Sequence, residues 1–201
     1  MPKIVQDLAD RIITRVGPVP EAGGAGAASI FGEMSMSQGY KLYRGYVDVN
    51  ITTSSETGQS GLKLNMRKAN ERGQGSGRYI REQRNRSVFA PIDSNHTIVI
   101  SGRYGGCAYK VYRLRHGQII CAHIYRGGQN PEELVNVLAE FADRRGWTEL
   151  HHISTDGETT SGCTRVLTVT EKTGSAVLSI LVKVGEGNRI VATGQIKASF
   201  L

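Results

Sequence analysis

Residues 98–125 read "IVISGRYGGCAYKVYRLRHGQIICAHIY", and the way this stretch folds back on itself decides the fold. "AYKVYRL" and "QIICAHIY" have the composition of two β-strands, separated by Arg115-His116-Gly117. A three-residue hairpin loop commonly places its third residue in the left-handed region, and glycine stands there. In that register Leu114 faces Gln118, Tyr109 faces His123 and Cys107 faces Tyr125. Opposed residues share a face of the sheet, as do residues two apart on one strand. Cys107 and His123 are then diagonal neighbours on one face, about 7–8 Å apart at the backbone. A two-residue loop would put them on opposite faces.

Working outward, "HTIVISG" is a short β-branched run of the kind that forms a buried strand, and it leads into the glycines before Cys107. "YKLYRGYVDVNITT", with Leu42, Val47, Val49 and Ile51, predicts another strand, with "QSGLKLNMRK" as its partner. Downstream, "NPEELVNVLAEFADRRGW" predicts a helix: Asn130 as cap, Pro131 at the first position, acidic Glu132 and Glu133 at the positive end, Gly146 as stop. Leu134, Val137, Leu138 and Phe141 form its apolar stripe. "ELHHIST" reads as a returning strand, and "RVLTVT", "AVLSILVKV" and "IVATGQIKASF" as an antiparallel meander. The fold class expected is α+β, with mainly antiparallel, packed, sandwich-like sheets and one or two flanking helices.

Ile4, Val5, Leu8, Ile12 and Val16 recur at helical spacing up to Gly17 and Pro18, and "PEAGGAGAAS" follows as a linker. The expected division is therefore an N-terminal helix and linker over 1–30 and a single catalytic-type domain over 31–201. The 201 residues suffice for a core without disulfides or metal, and 25 glycines favour turns and short strands over a helical bundle. Three cysteines without CxxC spacing point to a reducing compartment. Asp7, Asp10 and Arg11 interrupt the N-terminal apolar pattern, so no signal peptide is expected, and no run is long enough for a membrane span.

The net charge is +7, concentrated in "RKANERGQGSGRYIREQRNR" at 67–86, which is expected to be a solvated loop or a basic contact surface. "GQGSGR" lacks the lysine-serine/threonine ending of a phosphate-binding loop. The tyrosine- and arginine-bearing strands lack an RNA-platform signature.

A nucleophilic cysteine needs a neighbouring imidazole or a positive environment, because a free thiol is mostly protonated at neutral pH. His123 supplies the first, and Arg103, Arg113 and Arg126 the second. Gly105 and Gly106 leave backbone amides free to approach a substrate oxygen. A zinc site drawn from Cys107, Cys121 and His123 has no second close-spaced ligand pair, so no metal and no cofactor is expected. Each cysteine taken singly is also what a buried core residue looks like.

A strand, a glycine-preceded cysteine, a hairpin and a histidine sixteen residues later together resemble the cysteine-histidine glutamine deamidases. These comprise the cytotoxic necrotizing factor catalytic domains, the Burkholderia lethal factor and the bacterial chemoreceptor deamidases. The resemblance covers about 60 residues, from Thr97 to Asp156. In several members a threonine six positions before the cysteine completes the site, and Ser101 stands there.

The resemblance implies hydrolysis of a protein glutamine side chain, with Cys107 as nucleophile, His123 as base, Ser101 as orienter and amides near Gly105 and Gly106 as the oxyanion site. It also implies a bacterial effector or toxin, made in the bacterial cytoplasm and exported without a cleaved signal or delivered into a host cytosol, whose partner is a protein presenting a glutamine side chain. The basic charge adds the expectation of an acidic surface on that target. The toxins carry Ser-Gly-Cys, whereas Gly-Gly-Cys precedes the cysteine here, and the literal "SGCT" lies at 161–164, making Cys163 a rival nucleophile. Two further readings stand beside this one. One is a thiol protease on the same pair, and the other a non-enzymatic basic module for nucleic acid or an acidic protein surface.

Overall fold

The computed structural model describes residues 3–20, 42–71, 73–127, 130–158 and 161–201. The expected linker lies almost entirely outside the described residues. Helix α1 is Lys3–Ala9, followed by strands β1 (Ile13–Val16), β2 (Leu42–Arg44), β3 (Tyr46–Ser55), β4 (Leu62–Lys68), β5 (Gly77–Arg81), β6 (Ser87–Ile92) and β7 (Ile98–Gly102). Strands β8 (Ala108–Arg113) and β9 (Ile119–Ile124) form the hairpin, α2 is Glu133–Arg145, and β10 is Thr148–Ser154. Strands β11 (Cys163–Thr173), β12 (Ala176–Gly185) and β13 (Ile190–Phe200) complete the chain.

Eight strands form a mixed sheet in the order β1-β4-β3-β5-β7-β11-β12-β13. Its two edges meet at an antiparallel bridge between Arg15 and Arg189, so the sheet is a nearly closed barrel. The barrel is filled by Ile13, Val49, Leu64, Ile100, Leu167 and Ile180 from its strands and by Val5 and Leu8 of α1. The backbone amide of Val5 donates to the Glu171 carboxylate at 2.9 Å, which satisfies one otherwise unpaired donor of the helix start. Burial raises the Glu171 pKa, while amides of the first helical turn act in the opposite direction.

The second sheet has the order β10-β8-β9-β6-β2, antiparallel except for the β2–β6 pair. One of its faces, with Cys107, Tyr109, Val111 and Cys121, packs on the barrel wall against Ile80, Val99, Val166 and Leu181. Its other face, with Phe89, Ala108, Tyr112 and Ala122, is covered by α2. Strand β9 is therefore buried at every position, which is why "IICAHI" shows no polar alternation. The chain is α+β, with packed and mainly antiparallel sheets, as expected.

The hairpin has the expected register: Tyr109 pairs with His123 and Arg113 with Ile119. The Leu114 amide donates to the Gln118 carbonyl at 2.8 Å, and Gly117 takes φ +83. The C-terminal meander, the β3–β4 pair and the return through β10 also form as expected.

Three expectations are corrected. The N-terminal helix ends at Ala9 instead of running on to Val16; Arg11 turns the chain at φ +60, and β1 pairs in parallel with β4. Residues 3–20 thus belong to the barrel. The segment 67–86 is not a solvated loop throughout, because β5 within it is an inner barrel strand. Its Arg78 is buried, with Nε 3.3 Å from Asp48, Nη2 2.7 Å from Asp93 and Nη1 donating to the Pro91 carbonyl at 2.5 Å. These partners make burial of the charge tolerable. Finally, Glu132 rather than Asn130 is the cap position of α2, and Val135 and Ala142 complete the buried stripe in which Val137 is only partly covered.

Candidate active site

Strands β7, β8 and β9 bring Ser101, Cys107 and His123 to the seam between the barrel and the second sheet. Ser101 and His123 are fully buried and Cys107 nearly so. Ser101 sits near the end of β7, paired with Ile80 of β5 and Thr168 of β11. Its hydroxyl donates to the Ile80 carbonyl at 3.3 Å and lies 3.0 Å from His123 Nδ1. A serine has one proton to give, so with that proton on the carbonyl its oxygen accepts from Nδ1–H. The imidazole lone pair is then at Nε2, the nitrogen a general base would use. Nε2 is buried and bears no hydrogen bond. The Tyr104 ring stacks on the imidazole with centroids 4.3 Å apart and 13° between planes.

Cys107 immediately precedes β8 and joins Tyr109 in the core facing the barrel. The β8–β9 register pairs Tyr109 with His123 and ends at Ala108 opposite Ile124, so Cys107 lies one residue before the last pair, at the head of the strand that faces His123. The Cys107 carbonyl is held by Thr155, which donates its amide at 3.2 Å and also its hydroxyl. Burial, and next the Glu82 carboxylate, push the thiol up to about 11, against the backbone amides of Arg126 and Gly105, which hydrogen-bond to it. Burial alone pulls His123 down to about 3. At neutral pH Cys107 is therefore a thiol and His123 a neutral imidazole, and no hydrogen bond joins the two. Gly105 is exposed, with open space where a side chain would be, and Gly106 takes φ +99.

The rival Cys163 opens β11 and is half-buried, its thiol donating to the Arg165 carbonyl at 3.3 Å. The buried histidines are engaged elsewhere: His123 with Ser101, His151 with Ser179 at 2.7 Å, and His96 with Asp93 at 3.0 Å. His152 is exposed on the opposite face of β10. Cys121 is fully buried in the same core. Among the described residues no group of three His, Cys, Asp or Glu is placed to hold a metal, and no helix is long and apolar enough to cross a membrane.

Sequence reasoning missed Tyr104, Thr155 and Glu82, and it missed a buried hydroxyl chain that runs from Tyr109 through Thr170 and Ser179 to His151, each step 2.7 Å. Tyr104 also bonds Thr168 at 2.8 Å. The sequence concealed it: in "VLTVTE" the threonines alternate with apolar residues, the pattern of a half-exposed strand, although Thr168 and Thr170 are fully buried. Compared with known proteins, the chain matches no family model, no curated protein and no solved structure.

Proposed function

We propose that the protein is a cysteine-dependent amide hydrolase acting on the side-chain carboxamide of a protein glutamine. One observation carries this reading: Ser101 fixes the His123 ring through Nδ1 at 3.0 Å and leaves Nε2 free. Cys107 supplies the nucleophile.

The neutral starting pair sets the order of events. As the Cys107 sulfur attacks the carboxamide carbon, Nε2 takes the thiol proton, and it returns that proton to the departing ammonia. The resulting thioester is hydrolysed by water, which regenerates the thiol and leaves glutamate. Desolvation keeps both partners uncharged until substrate arrives, so proton transfer accompanies attack instead of preceding it. Gly105 and Gly106 border the sulfur without side chains to obstruct a carboxamide, and the Gly105 amide is directed at it.

The test is ammonia release from glutamine-containing proteins by the full chain. Cys107→Ser is expected to abolish it with circular dichroism and melting unchanged, whereas Cys163→Ser retains it. Full activity in Cys107→Ser would end this assignment.

A further inference from the structure

Around Arg165 the barrel leaves a second feature, one that does not involve Cys107. A cleft of about 840 Å³ opens at the barrel end, lined by Tyr79, Arg81, Glu82, Arg103, Arg165 and Asn188 among others. The lining thus carries three arginines and one carboxylate residue. Arg165 is 8% exposed, and its Nη2 donates to the carbonyls of Val16 at 2.8 Å and Gly17 at 2.9 Å and to Asn188 Oδ1 at 3.1 Å. Its Nε is buried without a partner, and among the described residues no carboxylate pairs with Arg165, Arg81 or Arg103.

The contrast with Arg78 is within the same barrel: that buried guanidinium has two aspartates. A buried charge without a counter-ion is costly, and planar guanidinium forks match phosphate oxygens. We propose that this cleft binds a small phosphate-bearing anion, with Arg165 at its floor and Arg81 and Arg103 closing on the phosphates from the rim. The volume is that of an ordinary small-molecule site and exceeds what a single inorganic phosphate fills. Burial, and then the neighbouring Arg103 charge, lower the Arg165 pKa, a strain that an anion between them relieves. A small ligand is favoured over a nucleic-acid strand because the unpaired guanidinium lies within a cleft and not along an exposed surface.

The experiment is calorimetric titration of the full chain with inorganic pyrophosphate, and in parallel with citrate and a single-stranded oligonucleotide, at low salt. One-to-one saturable binding of pyrophosphate is expected, weakened roughly tenfold or more by Arg103→Ala and by Arg81→Ala, as loss of a charge-assisted hydrogen bond implies. Both side chains are exposed, so folding is not at risk, while Arg84→Ala, outside the cleft, should bind as the parent does. Cys107→Ser should also bind normally, which separates this site from the hydrolase reading. Absence of pyrophosphate binding, equal loss in Arg84→Ala and Arg103→Ala, or tighter binding of citrate or of the oligonucleotide would each overturn the proposal.

Discussion

Ser101 and His123 meet because a parity rule held. With Gly117 as the third loop residue, odd positions of β8 and β9 face the barrel, and β7 lies on that barrel wall. Ser101→Ala is therefore expected to lower kcat by on the order of 10²-fold with little change in KM, and Ser101→Thr to restore most of it, since only the oxygen is needed to hold Nδ1. Steady-state ammonia release by the three proteins checks this. The pH profile carries a second expectation. With the thiol near 11 and the imidazole near 3, the reactive neutral pair persists across the whole neutral range. The kcat/KM profile should show no inflection between about pH 5 and pH 9; a limb near the ordinary histidine value of about 6.5 would refute the neutral-pair mechanism. The pairing of His123 with Tyr109 was legible because hairpin register specifies it, whereas Ser101, on β7, was reached only through the resemblance. Tyr104, Thr155 and Glu82 were not legible, because their approach depends on how loops and sheets pack, which no local spacing encodes.

At the level of elements, the β8–β9 hairpin, the β11–β13 meander and α2 were readable because each is specified by a contiguous pattern with its own turn or stop. Strands β1 and β5 were not. "GRYIR" carries two arginines, and only the distant Asp48 and Asp93 make Arg78 acceptable inside. The helical spacing that continued past Ala9 was coincidental, since Ile13 and Val16 point into the barrel from a strand. Two measurements belong here. Gly117→Val should cost about 1–2 kcal/mol through its left-handed backbone alone, since a side chain there meets nothing within 4 Å. Urea unfolding measures that loss, and Gly117→Asn should lose less. Leu8→Ala should cost about 2–5 kcal/mol in the same experiment, as expected of a core position and not of an appended helix.

For the molecule as a whole, buried neutral histidines couple stability to acidity. His123 and His151 accept a proton only near 3 and 4 when folded, burial being the main cause in each case, whereas unfolded histidine accepts one near 6.5. Below about pH 6.5 the unfolded chain therefore binds more protons than the folded one, and stability falls as pH falls, until the folded imidazoles themselves titrate. Each contributes at most about 1.4 kcal/mol per pH unit in that window. Urea midpoints taken from pH 7 down to pH 5 should decline, and His151→Gln should make the decline shallower; an unchanged slope would show that His151 is not held neutral. The hydrogen bond from Val5 to Glu171 has a consequence of another kind, since its partners are 166 residues apart. During synthesis the helix emerges before every barrel strand, and its carboxylate partner follows only with β11. At about 5–20 residues per second, Val5 and Leu8 remain without their barrel for roughly 10–30 s. The helix is thus made before any of the strands that house it, and the eight strands can close around it only once β13 has been released.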